Sequence, residues 1–243
     1  MKPNNEPLPP KAMLFDLDGT LFRTESLMLP AYHATFDQLR KEELYTGATP
    51  PEERILSGLG MLLEHIWRQV MPDASPDTHR RADDLLLEKL LQGLREGGGE
   101  LYDGVADTLK ELRRRGIRLF VASNGLEDYV KEVVRCRGIA PLFEGVYSAG
   151  EYQTRSKVDL VRMLLKRHEL RPEETWMVGD RSSDVEAGHG NGLFVVGCDY
   201  AGFRKSGELD KADAQIAAFA ELFTWLDEIK PDANRGAIPG SLS

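Results

Sequence analysis

Two aspartates, Asp16 and Asp18, stand directly after the apolar run Met13-Leu14-Phe15, and hydrophobicity resumes at Leu21 and Phe22. A short apolar run of this kind reads as a buried strand, so two carboxylates sit at its mouth. The same arrangement recurs twice. "LFVAS" ends in Ser123 with Asn124 behind it, and "TWMVG" ends in Asp180 with Asp184 one helical turn later. Lys157 opens a helical pattern after the loop "SAGEYQTR". In an open parallel sheet, the carboxyl ends of the strands form the edge where ligands bind. Carboxylates crowded on one edge repel each other unless positive charge sits among them. A hard divalent cation suits that site, and Mg²⁺ held by a few carboxylates plus a substrate phosphate is its usual arrangement. With the charge screened, one carboxylate can attack phosphorus and form an aspartyl-phosphate. A second, two residues away, can protonate the leaving alcohol and then deprotonate the hydrolytic water.

The elements that must position these groups are legible from periodicity. From about residue 100 onward, strand-like runs ("GIRLFVAS", "EGVYSAG", "TWMVGD", "LFVVGCD") alternate with helical patterns. Val105, Leu109 and Leu112 share one helical face, as do Leu126, Val130, Val133 and Val134. Ser156-x-x-Asp159 is a helix-start signature, and a last helix is expected near 215–229, burying Ile216, Phe219, Phe223 and Leu226. Alternation of this kind implies βαβ units, hence an α/β, Rossmann-like doubly wound parallel sheet. Residues 24–98 differ, with three long helical patterns and no convincing strand, ending in Gly97-Gly98-Gly99. The chain therefore divides into a core of residues 11–23 and 99–230, an inserted α-helical cap of 24–98, and flexible ends at 1–10 and 231–243.

Composition bounds the partners. The chain has 243 residues, 41% hydrophobic and 29% charged, with a formal net charge of −9. An acidic balance argues against nucleic acid or an anionic membrane as partner. No stretch approaches the roughly 18 apolar residues of a membrane span, and the polar, proline-rich start shows no apolar signal core. The two cysteines, Cys136 and Cys198, lack a CxxC pattern, which points to reduced thiols and a cytoplasmic location.

Four motifs in order carry a family resemblance. "DLDGTL" (16–21), "VASN" (121–124), Lys157 and "VGDRSSD" (178–184) resemble the four motifs of the haloacid dehalogenase-like hydrolase superfamily. The helical insertion between the first two resembles the type with an α-helical cap, as in phosphoglycolate phosphatases and β-phosphoglucomutases. The resemblance implies that Asp16 is the nucleophile and a Mg²⁺ ligand. It makes Asp18 the general acid/base, its backbone carbonyl also on the metal. Ser123, Asn124 and Lys157 would bind the phosphoryl group, Asp180 would ligate Mg²⁺, and Asp184 would support the site through water or an outer hydrogen bond. Lys157-Val158 and Tyr102-Asp103-Gly104 stand where many relatives have Lys-Pro and Tyr-Pro-Gly.

The expected function is a Mg²⁺-dependent phosphatase acting on a small phosphorylated metabolite as monomer or homodimer. Two other readings keep the same residues: a phosphomutase that returns the phosphoryl group to a sugar, and a non-catalytic regulatory protein. Arg23, His65 and Arg68 are candidate substrate contacts, set against the plainer reading of a local ion pair and an amphipathic helix. Gly58 and Gly60 mark a turn able to aim at the substrate.

Overall fold

A computed structural model describes residues 8–59, 63–203 and 206–229, with the side chains of residues 63–65 also outside the description. Strand β1 (Ala12–Phe15) leads into a tight turn and the two-residue β2 (Phe22–Arg23). Four helices follow: α1 (Glu25–Lys41), α2 (Glu52–Leu56), α3 (Leu63–Val70) and α4 (Pro76–Arg95). The chain returns through β3 (Glu100–Leu101), which pairs antiparallel with β2. Then come α5 (Val105–Arg114), β4 (Arg118–Ser123), α6 (Glu127–Cys136), β5 (Gly145–Ser148) and the short α7 (Ala149–Tyr152). The second half holds α8 (Lys157–Arg167), β6 (Thr175–Gly179), α9 (Ser182–His189), β7 (Phe194–Cys198), β8 (Ala214–Ile216) and α10 (Leu222–Glu228).

Six strands form one parallel sheet in the order β5-β4-β1-β6-β7-β8. The chain builds outward from β1 first on one side and then on the other, so the topological switch lies beside β1. The sheet is covered on both faces, which is why its strands read as continuous apolar runs. Alternate residues separate into two clusters. Phe15, Val121 and Val178 pack with Leu109 of α5 and Val130 of α6, in a cluster that continues into Leu27, Tyr32, Trp67 and Leu86 of the inserted helices. Leu14, Phe120 and Met177 pack on the opposite face with Leu160 of α8 and Val185 of α9.

Several expectations meet corrections. The helix expected near 215–229 begins only at Leu222. Residues 214–216 extend the sheet as β8, and Ile216 pairs with Cys198. An apolar residue at every helical turn also satisfies a short strand followed by a turn, so periodicity alone did not separate them. The long helical pattern over 52–71 is broken into α2 and α3 around Gly58, with Gly60 outside the described residues. The β2–β3 pair was not expected; it is too short to leave a periodic signal. Of the ends, 1–7 and 230–243 lie outside the described residues, whereas the Leu8 carbonyl accepts the Trp176 indole N–H at 3.2 Å. Among the described residues no helix is long and apolar enough to cross a membrane, and both cysteines are free.

Candidate active site

The turn after β1 carries the first two carboxylates. Asp16 continues the sheet register by donating its N–H to the Val178 carbonyl at 2.9 Å. Leu17 to Phe22 then close on themselves, with the N–H groups of Leu21 and Phe22 both on the Leu17 carbonyl at 2.9 Å. Gly19 adopts a φ of +79°, which glycine alone takes without strain.

Asp16 is buried, and the Lys157 ammonium lies 2.8 Å from its Oδ1. The same ammonium donates to Asp184 Oδ1 at 2.6 Å. Lys157 reaches this place because Ser156 caps α8, its hydroxyl accepting from the Asp159 N–H at 3.2 Å, which sets Lys157 as the first residue of the helix. Burial acts to lower the lysine, but the two carboxylates outweigh it and hold it above its ordinary range. Asp184 also accepts from the Arg181 N–H at 3.0 Å through Oδ2, so both its oxygens are committed.

Asp180, fully buried at the end of β6, accepts from the Thr20 hydroxyl at 3.1 Å through Oδ1. Its Oδ2, like Asp16 Oδ2, is buried with no hydrogen-bond partner among the described residues. Oxygens of Asp16, Asp180 and Asp184 lie within 4.8 Å of one another. Burial pushes Asp16 up to about 7, Lys157 pulling against it and Asp184 adding to it. Burial likewise lifts Asp180 well above the carboxylate range, with Asp16 and Asp184 adding to it. A cluster of three carboxylates that holds two buried oxygens unpartnered among the described residues, with more negative than positive charge, fits a hard divalent cation.

Asp18 is held differently. Its Oδ1 accepts from the Thr24 hydroxyl at 2.5 Å and the Tyr129 hydroxyl at 2.7 Å. Burial raises its pKa, while these two bonds oppose the rise. With Oδ1 doubly anchored, Oδ2 is the oxygen left to carry a proton. Ser123, at the end of β4, is buried and accepts from the Gly125 N–H at 3.1 Å.

Asp16, Asp18, Ser123 and Asn124 line a cavity of about 60 Å³. Lys157, Asp180 and Asp184 are buried and adjoin Asp16. The lining of that cavity is completed by residues of α1, α3, α4 and α6 and by the segments after α2 and β4. Neither Arg23 nor Arg68 lines it. Arg23 stands 3.7 Å from Glu100 and over the Tyr102 ring, bracing the β2–β3 pair, and Arg68 is exposed. The side chain of His65 lies outside the described residues.

The pattern of the haloacid dehalogenase-like hydrolase family matches residues 13–198, from β1 through β7. The chain belongs to that family. Among relatives of this hydrolase, a phosphoglycolate phosphatase from Nitrosospira multiformis is 31% identical, covering 88% of this chain and 95% of that one. A pyrophosphatase PpaX from Bacillus velezensis is 29% identical, covering 76% and 82%. CbbY from Rhodobacter sphaeroides, solved in complex with phosphate, is 27% identical with a TM-score of 0.77, covering 90% of this chain and 99% of that one.

Residues that the sequence did not single out complete the candidate site: Thr20, Thr24 and Tyr129, which orient carboxylates, and Arg181. The Arg181 guanidinium reaches from the core to the Ser57 carbonyl after α2 at 3.2 Å, and pairs with Glu208 at 3.2 Å. Tyr129 had a signal. It adds a hydroxyl to the buried face of α6 that Val130 and Val133 define, one turn beyond the strand end at Ser123.

Proposed function

We propose that this chain is a Mg²⁺-dependent phosphatase that hydrolyses a small phosphate monoester through an aspartyl-phosphate on Asp16. The observation that carries the reading is Asp16 itself. It lines the cavity, Lys157 holds its Oδ1 at 2.8 Å, and its Oδ2 is without a hydrogen bond. A carboxylate so oriented presents one free oxygen to phosphorus.

Asp16 and Asp180, with the Asp18 backbone carbonyl, would hold Mg²⁺. When bound, the ion supplies charge that draws a phosphate into a carboxylate cluster and stabilises the transferring group. Lys157 commits two of its three N–H bonds to Asp16 and Asp184, leaving the third for a phosphoryl oxygen. Ser123 and Asn124 line the same cavity and complete the cradle. In the first step a bond forms between an Asp16 carboxylate oxygen and phosphorus as the bond to the leaving oxygen breaks, and Asp18 Oδ2 gives that oxygen its proton. In the second, Asp18 takes a proton from water, the water oxygen bonds to phosphorus, and Asp16 leaves as carboxylate. The inserted helices keep bulk water from the site during the first step.

Phosphate release from a panel of small esters with Mg²⁺, wild type beside Asp16→Asn, tests this. Release by the wild type and a loss of at least about 10³-fold in the variant is expected for a removed nucleophile. No release from any ester would overturn the reading.

A further inference from the structure

The cavity is lined by two chemically different sets of residues. Asp16, Asp18, Ser123, Asn124 and Tyr129 are polar, whereas the inserted helices contribute an apolar wall: Met28 of α1, Leu59, Ile66 of α3, and Leu86 and Leu90 of α4. One charged group interrupts that wall. Asp83 lies on the same face of α4 as Leu86 and Leu90, three and seven residues before them. Its Oδ1 accepts the indole N–H of the buried Trp67, and it makes no other hydrogen bond among the described residues. No lysine, arginine or histidine lines the cavity among the described residues. Burial pushes Asp83 up to about 6; the Trp67 bond opposes the rise and Asp84 adds to it. At neutral pH it is thus an ionised, partly desolvated acceptor with one oxygen fixed by Trp67 and the other uncommitted.

We propose that Asp83 selects the leaving group: a short aliphatic phosphate ester whose alcohol part ends in a hydrogen-bond donor, an ammonium above all. Leaving groups ending in a carboxylate or a second phosphate are disfavoured. An anion there would face a second anion across an apolar wall, where repulsion is poorly screened. An ammonium would gain a charge-assisted bond where water is scarce. A cavity of about 60 Å³ suits an alcohol part of a few carbon atoms. The inference rests on the phosphatase reading of this site, and it separates this chain from what the names of two of the relatives suggest, the phosphoglycolate phosphatase and the pyrophosphatase, since glycolate and phosphate both leave as anions.

The test compares O-phosphoethanolamine with 2-phosphoglycolate, matched in length and opposite in charge. Turnover with Mg²⁺ is measured for wild type and Asp83→Asn, and binding of both esters by calorimetry to Asp16→Asn and to Asp16→Asn/Asp83→Asn. Asparagine keeps an acceptor for Trp67 and removes only the charge. The expected result is a wild-type kcat/KM ratio favouring the amine by at least about tenfold, collapsing by about tenfold or more in Asp83→Asn. The ratio cancels any general loss, so a merely structural Asp83 would lower both esters together and overturn the proposal. A wild type that prefers phosphoglycolate would also overturn it. If the wild type turns over no ester, the phosphatase reading fails and calorimetry decides this proposal alone. Tighter binding of the amine that is lost with Asp83→Asn upholds it; equal binding, or none, sinks it.

Discussion

Gly19 lies against Asp180: a Cβ placed on Gly19 would stand 2.3 Å from Asp180 Oδ2, at a backbone φ of +79°. The turn that aims Asp16 and Asp18 thus also sets the space left to Asp180. Gly19→Ala is expected to combine about 1–3 kcal/mol of backbone strain with displacement of the Asp180 carboxylate. Mg²⁺-induced stabilisation should vanish in a thermal melt, and kcat should fall by at least about 100-fold. A variant retaining both would show that Asp180 tolerates the move.

Lys157 is the counter-charge of a buried carboxylate group, and removing one partner of such a set is costly because the other charges stay buried. Lys157→Met is expected to lower unfolding free energy by about 3–5 kcal/mol in urea titrations. Adding Asp16→Asn should recover part of that loss, since one stranded charge goes with it. A double-mutant cycle showing simple additivity would contradict the coupling.

The raised carboxylates give the metal-free protein a definite pH dependence. Asp16 at about 7 in the fold keeps a proton that the unfolded chain has already lost above about 4. The folded state then binds more protons than the unfolded one, so stability falls as pH rises from about 4 to 7 and levels off beyond. A divalent cation should reverse this by favouring the ionised form. The Tm gain from 5 mM Mg²⁺, an amount on the order needed to exceed a weak Kd, is expected to be larger at pH 8 than at pH 5. A gain independent of pH would place the ion elsewhere.

Tyr129 and Thr24 both donate to one oxygen of Asp18. Tyr129→Phe removes one of the two bonds that oppose the effect of burial, so the Asp18 pKa should rise further. The alkaline limb of the pH–rate profile is expected to move upward, with kcat reduced about tenfold through lost orientation. An unshifted limb would separate Tyr129 from the proton shuttle.

Arg181 ties the core to the carbonyl of Ser57. Arg181→Met should loosen that tie, raising KM more than it lowers kcat, and should speed proteolysis near residues 57–59. Unchanged cleavage would mean that packing of the inserted helices alone keeps them closed.

The site was legible in the sequence where a strand end dictated it. Asp16, Ser123 and Asp180 each follow an apolar run, and the sheet brings those runs side by side as β1, β4 and β6. Lys157 was legible through the Ser156 cap. Asp83 was not, although its signal existed: an acid in the apolar stripe of α4, which a count of charges on a helix reads as solvated surface. Arg181 left no signal at all, because its partner Ser57 follows a separate helix, α2, whose placement no local pattern records. Periodicity reports which face is buried; it is silent on what that face meets.

β1 precedes every other described strand and is also a central strand of the sheet, and its neighbours are far along the chain. Ala12 pairs with Arg118 on one side and with Thr175 on the other. At synthesis rates of about 5–20 residues per second, Met13, Leu14 and Phe15 wait on the order of ten seconds before the first neighbour exists. The inserted helices, whose main pairing of α1 with α4 needs only residues up to 95, are expected to fold in that interval, before the sheet can close. The protein's slowest assembly step should therefore be the threading of an early, sticky strand between two late ones, and overproduction is expected to strand chains with β1 exposed.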